Sequence, residues 1–265
     1  MGDFASIGAI RQEDLIKAYK DFISPDGASM AMVGDLSKYD NLPDLLHKTL
    51  AQWSLKPVSE IQFPAINQHV EGIITFPINR DQIVLGYAAP SISRLDESFD
   101  KVLLFDQLFT GGVLGSMSSR LFELREQSGL FYTIGGSLLA GADEQPGMVF
   151  IKTIVSIDRL VEAQDAIENT IEHATQGITN DELQEAKLAL INSLVDNFAT
   201  NKSIAHAFLF LHRFDFQADY FDHRAQQLDA IKLETIAPTV KKILNRNNLV
   251  KIMIGRTEAI TLYGT

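Results

Sequence analysis

The sequence predicts an α+β layer in which helices pack on one face of a mostly antiparallel sheet. Three observations predict it. β-Branched runs gather between residues 70 and 155, helical periodicities gather after residue 158, and one helix–strand unit occurs near both ends of the chain.

The repeated unit organises the ends. Residues 11–37, RQEDLIKAYKDFISPDGASMAMVGDLS, align without gaps on residues 232–258, KLETIAPTVKKILNRNNLVKIMIGRTE. Apolar positions coincide at helical spacing in Leu15/Ile236, Tyr19/Val240, Phe22/Ile243 and Ile23/Leu244. They coincide again at Ala31/Ile252, Met32/Met253 and Val33/Ile254, before Gly34/Gly255. Each copy reads as helix, polar turn, buried strand and glycine. Residues 1–56 are therefore expected to be the C-terminal tail of a preceding homologous domain, with Leu42 to Trp53 as its last helix. Residues 57–66, PVSEIQFPAI, carry two prolines and no helical period, as a linker would. Residues 67–265 are expected to form the complete domain. The competing reading places residues 1–56 in one fold with the rest.

Within that domain, VEGIITFPI and DQIVLGYAA flank Asn79-Arg80 and predict an antiparallel pair. Residues 96–109 are apolar nearly all round, which predicts a central, buried helix, and Gly111-Gly112 is a natural stop. A short second helix over 117–127 leads to FYTIGGSLLA and MVFIKTIV, a hairpin with an open loop between its strands. Helix 158–174 buries Leu160, Ile167, Ile171 and Ala174 and ends at Gly177. Thr179 with Glu182 is a capping-box signature for the next helix, which carries Leu183, Leu190, Leu194 and Phe198. Helices over 204–214 and 219–231 precede the second copy of the repeat.

Composition narrows the function classes. With 265 residues, 46% hydrophobic content and 16 Phe, the chain can bury a sizeable core. A formal charge of −11 argues against nucleic-acid binding, which needs clustered Lys and Arg. There is no cysteine, so thiolate catalysis and thiolate metal ligands are excluded. No stretch of about 18 apolar residues occurs, so no membrane insertion is expected and the material should be soluble in any compartment.

Catalytic motifs are scarce. A helical zinc site needs two histidines four residues apart so that both reach one ion. Four residues after His47, His69, His173, His206, His212 and His223 stand Ala51, Ile73, Gly177, Phe210, Phe216 and Gln227, so the pair is missing and no metal ligand is expected in this chain. The loop GGVLGSMSS has neither a nucleophile elbow nor a phosphate-loop ending. Its Gly111, Gly112, Gly115, Ser118 and Ser119 read either as a helix-capping turn or as a glycine-rich cleft wall. Arg125 and Tyr132 stand seven residues apart across Gly129, so one leaves a helix while the other enters a strand and both can face one cleft. A guanidinium and a phenol so placed can donate to a peptide carbonyl or its oxyanion; from spacing alone, a surface Arg and a half-buried Tyr with no such role is the favoured reading.

The segment GSMSSRLFELREQSGLFY, Gly115 through Tyr132, resembles the signature of the second homologous domain in pitrilysin/insulinase-type zinc peptidases and mitochondrial processing peptidases. The stretch GITNDELQEAK, Gly177–Lys187, and the strands ending in Gly34-Asp35 and Gly255 agree with it. In that family two similar lobes face each other across a chamber. The first carries an inverted H-x-x-E-H zinc site, and the second contributes an Arg and a Tyr that engage the substrate. The resemblance implies that this chain is the non-catalytic, substrate-binding lobe, with Arg125 and Tyr132 in those roles and Gly111, Gly112, Gly115, Ser118 and Ser119 lining the site. It implies zinc in a partner lobe or subunit, a peptide as substrate and no activity for this chain alone. A fragment of this kind can also pair with itself as a homodimer. Phe131 departs from the small residue usual before the Tyr and is expected to narrow the pocket. The alternative function is a non-enzymatic scaffold or peptide-binding subunit derived from the same fold.

Overall fold

The structure, a computed structural model, describes residues 2–51, 53, 57, 63, 72–112 and 115–256. Along the chain run α1 (Phe4–Gly8), α2 (Gln12–Phe22), α3 (Leu42–Leu50), β1 (Ile73–Pro77), β2 (Gln82–Pro90), α4 (Phe99–Phe109), α5 (Arg120–Ser128) and β3 (Ile134–Ala140). β4 (Met148–Ser156), α6 (Leu160–Glu172), α7 (Asn180–Ser193), α8 (Asn201–Arg213), α9 (Tyr220–Asp229), α10 (Leu233–Ile243) and β5 (Val250–Gly255) follow. The chain divides into two compact units, Met1–Ala65 with Asp196–Arg213, and Ile66–Val195 with Phe214–Thr265. Apart from Pro57 and Phe63, the expected linker lies outside the described residues.

In the smaller unit, the helical half of the repeat forms as its pattern requires. The alignment offset of 221 residues (232 minus 11) carries Gln12 onto Leu233 and Phe22 onto Ile243, which are the observed ends of α2 and α10. The strand half forms only once. Residues 250–255 make β5, whereas residues 29–34 join no ladder and Met30 and Met32 are exposed, so the buried strand expected there is corrected. A strand forms only against a neighbour that takes its N–H and C=O groups, and this unit holds no sheet among its described residues. α1, α2 and α3 bury no residue at all, although Leu15, Tyr19 and Phe22 lie along one stripe of α2.

In the larger unit, five strands stand in the order β1-β5-β2-β4-β3. The pairs β5–β2, β2–β4 and β4–β3 are antiparallel, and only β1–β5 is parallel. The expected β1–β2 hairpin is therefore corrected, because β5 lies between the two. The short connection after β1 passes over it, with Ile78 N–H donating to Gly255 O at 2.7 Å. In that position β5 is bonded along both edges.

One face of the sheet carries the core. Ile83, Leu85 and Tyr87 of β2, Val149, Ile151 and Val155 of β4 and Met253 of β5 are all buried, at the alternating positions that point one way. α4, α6 and α10 supply the opposing layer. Val102, Leu104, Phe105 and Phe109 of α4 are buried, and the rings of Phe105 and Phe109 stack with centroids 5.7 Å apart. The predicted capping box forms at α7, where Thr179 N–H donates to Glu182 Oε2 at 2.7 Å and Glu182 N–H to Thr179 Oγ1 at 3.2 Å.

One polar cluster ties the layers together. Glu168 of α6 accepts from Tyr87 Oη at 3.0 Å, pairs with Lys251 Nζ at 2.7 Å and with Arg246 at 2.6 Å. Burial pushes the Glu168 carboxyl up, but the Lys251 and Tyr87 hydrogen bonds and the two cations outweigh it and hold the group below its usual range. A depressed carboxylate contributes stability that is present above its unfolded pKa and lost as pH falls through the folded one. The wild-type protein should thus lose stability relative to Glu168→Gln between about pH 5 and pH 3, as read by urea midpoints across that range. Parallel pH profiles for the two proteins would contradict this.

Candidate functional site

The candidate site is built where α4 ends, α5 begins and ends, and β3 starts. α4 stops because Gly111 (φ 92°) and Gly112 (φ 57°) take left-handed conformations. A Cβ at Gly111 would lie 2.7 Å from the Ser116 backbone nitrogen, so the turn closes only with glycine there. Val113 and Leu114 lie outside the described residues. α5 then starts at Ser119, whose buried hydroxyl caps the helix by accepting from Phe122 N–H at 3.4 Å. It stops at Gly129, left-handed with φ 60°.

That stop turns the chain so that Arg125 and Tyr132 meet. Arg125 Nε donates to the Tyr132 carbonyl oxygen at 2.8 Å, and Arg125 Nη1 lies 3.2 Å from Glu126 Oε1. The guanidinium also stands 5.6 Å from the Phe122 ring centre. Nη2 has no partner among the described residues. Phe131 is 5% exposed and Tyr132 86% exposed. Phe131 packs in the core cluster, whereas Tyr132 sits at the bend before β3 and turns outward. Phe131 anchors the segment in the core, so the expectation that it narrows a substrate pocket is corrected. Thr153 Oγ1 adds a third tie by donating to Thr133 O at 2.7 Å. Tyr132 thus projects from a backbone that Arg125 Nε and Thr153 Oγ1 tie at its own and the following carbonyl.

A buried carboxylate that sequence reasoning passed over braces this corner. Asp106 Oδ1 accepts from Leu138 N–H at 2.8 Å and from Thr110 Oγ1 at 2.8 Å, while Oδ2 accepts from Ser137 Oγ at 3.0 Å. Thr110 Oγ1 in turn accepts from Gly112 N–H at 3.1 Å, so one chain of bonds runs from the edge strand β3 to the glycine turn. Burial pushes the Asp106 carboxyl above its ordinary range despite these three donors.

The predicted glycines and serines divide by role. Gly111 and Gly112 shape the end of α4, Ser119 caps α5, and Ser118 lies with Ser116 at a surface turn, their hydroxyls 2.9 Å apart. Gly115 (φ 68°) has open space around its α-carbon. None of these touches Arg125 or Tyr132 through a described hydrogen bond. Among the described residues, no three His, Asp or Glu side chains converge as a metal set. No helix is long and apolar enough to cross a membrane among the described residues.

A family profile described as the peptidase M16 inactive domain matches residues 9–190. No curated protein matches the chain. Among solved structures, a peptidase M16 inactive domain from Pseudomonas fluorescens is similar with a TM-score of 0.75 and 25% identity, over 97% of this chain and 60% of that one. A protease from Helicobacter pylori is similar at 0.74 and 12% identity, over 96% of this chain and 61% of that one. A ferredoxin protease, FusC, solved in complex with Arabidopsis ferredoxin, is similar at 0.65 and 14% identity, over 97% of this chain and 28% of its own. The chain thus spans about three fifths of the length of the first two.

Proposed function

Because this chain belongs to the peptidase M16 inactive-domain family, we propose that it is the substrate-holding half of a two-lobed peptidase, completed by a homologous lobe that bears the zinc. The observation that carries this reading is the pairing of Arg125 with Tyr132. The Tyr132 side chain stands out into solvent, while its carbonyl is gripped by the Arg125 guanidinium. Such a pair has a clear chemical use. A peptide carbonyl brought alongside would accept from the phenol and from Nη2, and both donors gain strength as negative charge develops on that oxygen. Because the backbone beneath them is already fixed, little ordering is left for the moment of reaction. The bound ferredoxin in FusC supports a protein or peptide as the substrate class.

The metal and its water belong to the other lobe in this reading, and the residues present here perform binding and orientation only. Purified chain supplied with zinc should not hydrolyse peptides. Mixing it with a lobe carrying H-x-x-E-H should produce hydrolysis that saturates at one to one. A one-to-one complex without hydrolysis would favour the scaffold reading instead, and hydrolysis by the chain alone would overturn both.

A further inference from the structure

The two copies of the repeat share a pattern but end in opposite surroundings. In the second copy, Ile236 and Val240 of α10 and Met253 of β5 are fully buried, and α10 packs on α4. β5 is hydrogen-bonded to β1 along one edge and to β2 along the other. In the first copy, the aligned Leu15, Tyr19 and Met32 are 62%, 57% and 43% exposed. The backbone of residues 29–34 makes no hydrogen bond among the described residues. The first copy thus carries the apolar stripe and the strand pattern of a buried unit with neither a helix layer nor a ladder to receive them.

The closing glycine gives a second, independent difference. Gly255 is buried, and a Cβ there would overlap the side chain of the buried Ile83 on β2, so β2 lies this close only against glycine. Gly34 holds the matching position without a positive φ. A Cβ there would have only Asn201 Nδ2 near it, at 3.8 Å. Nothing among the described residues of its own unit calls for glycine at 34, whereas a strand laid alongside it as β2 lies along β5 would.

We infer that residues 29–34 form a strand in the sheet of a second, homologous lobe, with α2 packed on that lobe's helices as α10 packs on α4. The alignment offset carries the register across. Met32 and Val33 take the places of Met253 and Ile254, which face Leu85 and Val84 of an antiparallel neighbour, while the other edge receives a parallel strand as β5 receives β1. The pleat turns Met30, Met32 and Gly34 toward the helices, the side that Met253 and Gly255 occupy. The fitting partner is therefore a sheet with an open place between two strands, filled by strand addition. A second copy of this chain does not offer that place, because β5 already stands between β1 and β2. The inference rests on the substrate-holding reading only in taking the second lobe to be the zinc-bearing one.

The test is hydrogen exchange of the whole chain, alone and mixed with a lobe that carries H-x-x-E-H and stops short of its own last helix and strand. In the complex the amides of 29–34 should exchange about 100-fold more slowly or better, and a synthetic peptide of residues 11–37 should compete with the chain for the lobe. Gly34→Val should leave unfolding of the chain alone unchanged and weaken the complex about 10–100-fold, as overpacking does. Met32→Asp, at an exposed position, should weaken it as well. No complex, a complex in which 29–34 exchanges as in the free chain, or affinity unchanged in both variants overturns the inference. Protection that appears in the chain alone as its concentration rises assigns the face to a second copy and overturns it too. Protection without hydrolysis keeps the strand and defeats the peptidase reading, and hydrolysis with 29–34 unprotected does the reverse.

Discussion

Tyr132→Phe in the assembled two-lobed enzyme should lower kcat/KM by about 10²–10³-fold, the usual loss when one oxyanion donor is removed. Because the ring of Tyr132 is almost wholly exposed, thermal unfolding should shift by no more than about 0.5 kcal/mol. The loss should fall mainly on kcat, since the phenol gains most as charge builds on the carbonyl oxygen. Arg125→Ala should reach a similar loss by two routes. It removes Nη2 as a donor and releases the Tyr132 carbonyl from Nε. Arg125→Lys should not rescue it, because a single ammonium cannot hold that carbonyl and present a second donor in the same fork. Near-normal turnover in both Tyr132→Phe and Arg125→Ala would remove these residues from the reaction.

The largest expected effect on stability lies away from the site. Arg224 of α9 is 5% exposed and clamps both carboxylate oxygens of Asp100 on α4, with the Tyr220 ring 5.4 Å from the guanidinium. Burial pulls the Arg224 guanidinium down, but the hydrogen bonds and charge of Asp100 outweigh it and hold the group above its ordinary value. Asp100→Ala strands that charge in the interior and should cost about 3 kcal/mol, the lower end for a broken buried pair because Asp100 is itself partly exposed. The double variant Asp100→Ala/Arg224→Met should recover much of the loss, since it removes the buried charge as well. Urea unfolding reads both, and a cost below about 1 kcal/mol for Asp100→Ala would mean that Arg224 finds water or another acceptor.

How much of this was legible in the sequence depends on whether the deciding contacts were local. The Thr179–Glu182 cap, the registers of α2 and α10 and the all-round apolar α4 are set within about a dozen residues, and each forms as read. The placement of β5 between β1 and β2 is decided by a strand about 170 residues away, so two adjacent β-branched runs looked like a hairpin. The strand expected in the first repeat needed a sheet, and its unit holds none among its described residues. At the site, α5 stops at Gly129 and the Arg125 side chain reaches the Tyr132 backbone carbonyl, a contact that the sequence did not specify. Phe131 misled because its departure from the small residue usual before the Tyr suggested a pocket residue, whereas its ring packs in the core. Asp106 and Gln107 were hidden by their company, since two polar residues in an apolar helix look like its solvent face and their burial is visible only in three dimensions.

The outward edge at Tyr132 is where a bound peptide should lie. A photoreactive benzoylphenylalanine placed at position 132, with a control at the exposed Val161 of α6, tests this in the chain combined with a zinc-bearing lobe and a labelled peptide. The label should attach to the chain carrying the probe at 132 and not to the one carrying it at 161, and unlabelled peptide should compete it away. Equal labelling from the two positions, or none from 132 in an assembly that still hydrolyses the peptide, would contradict the account.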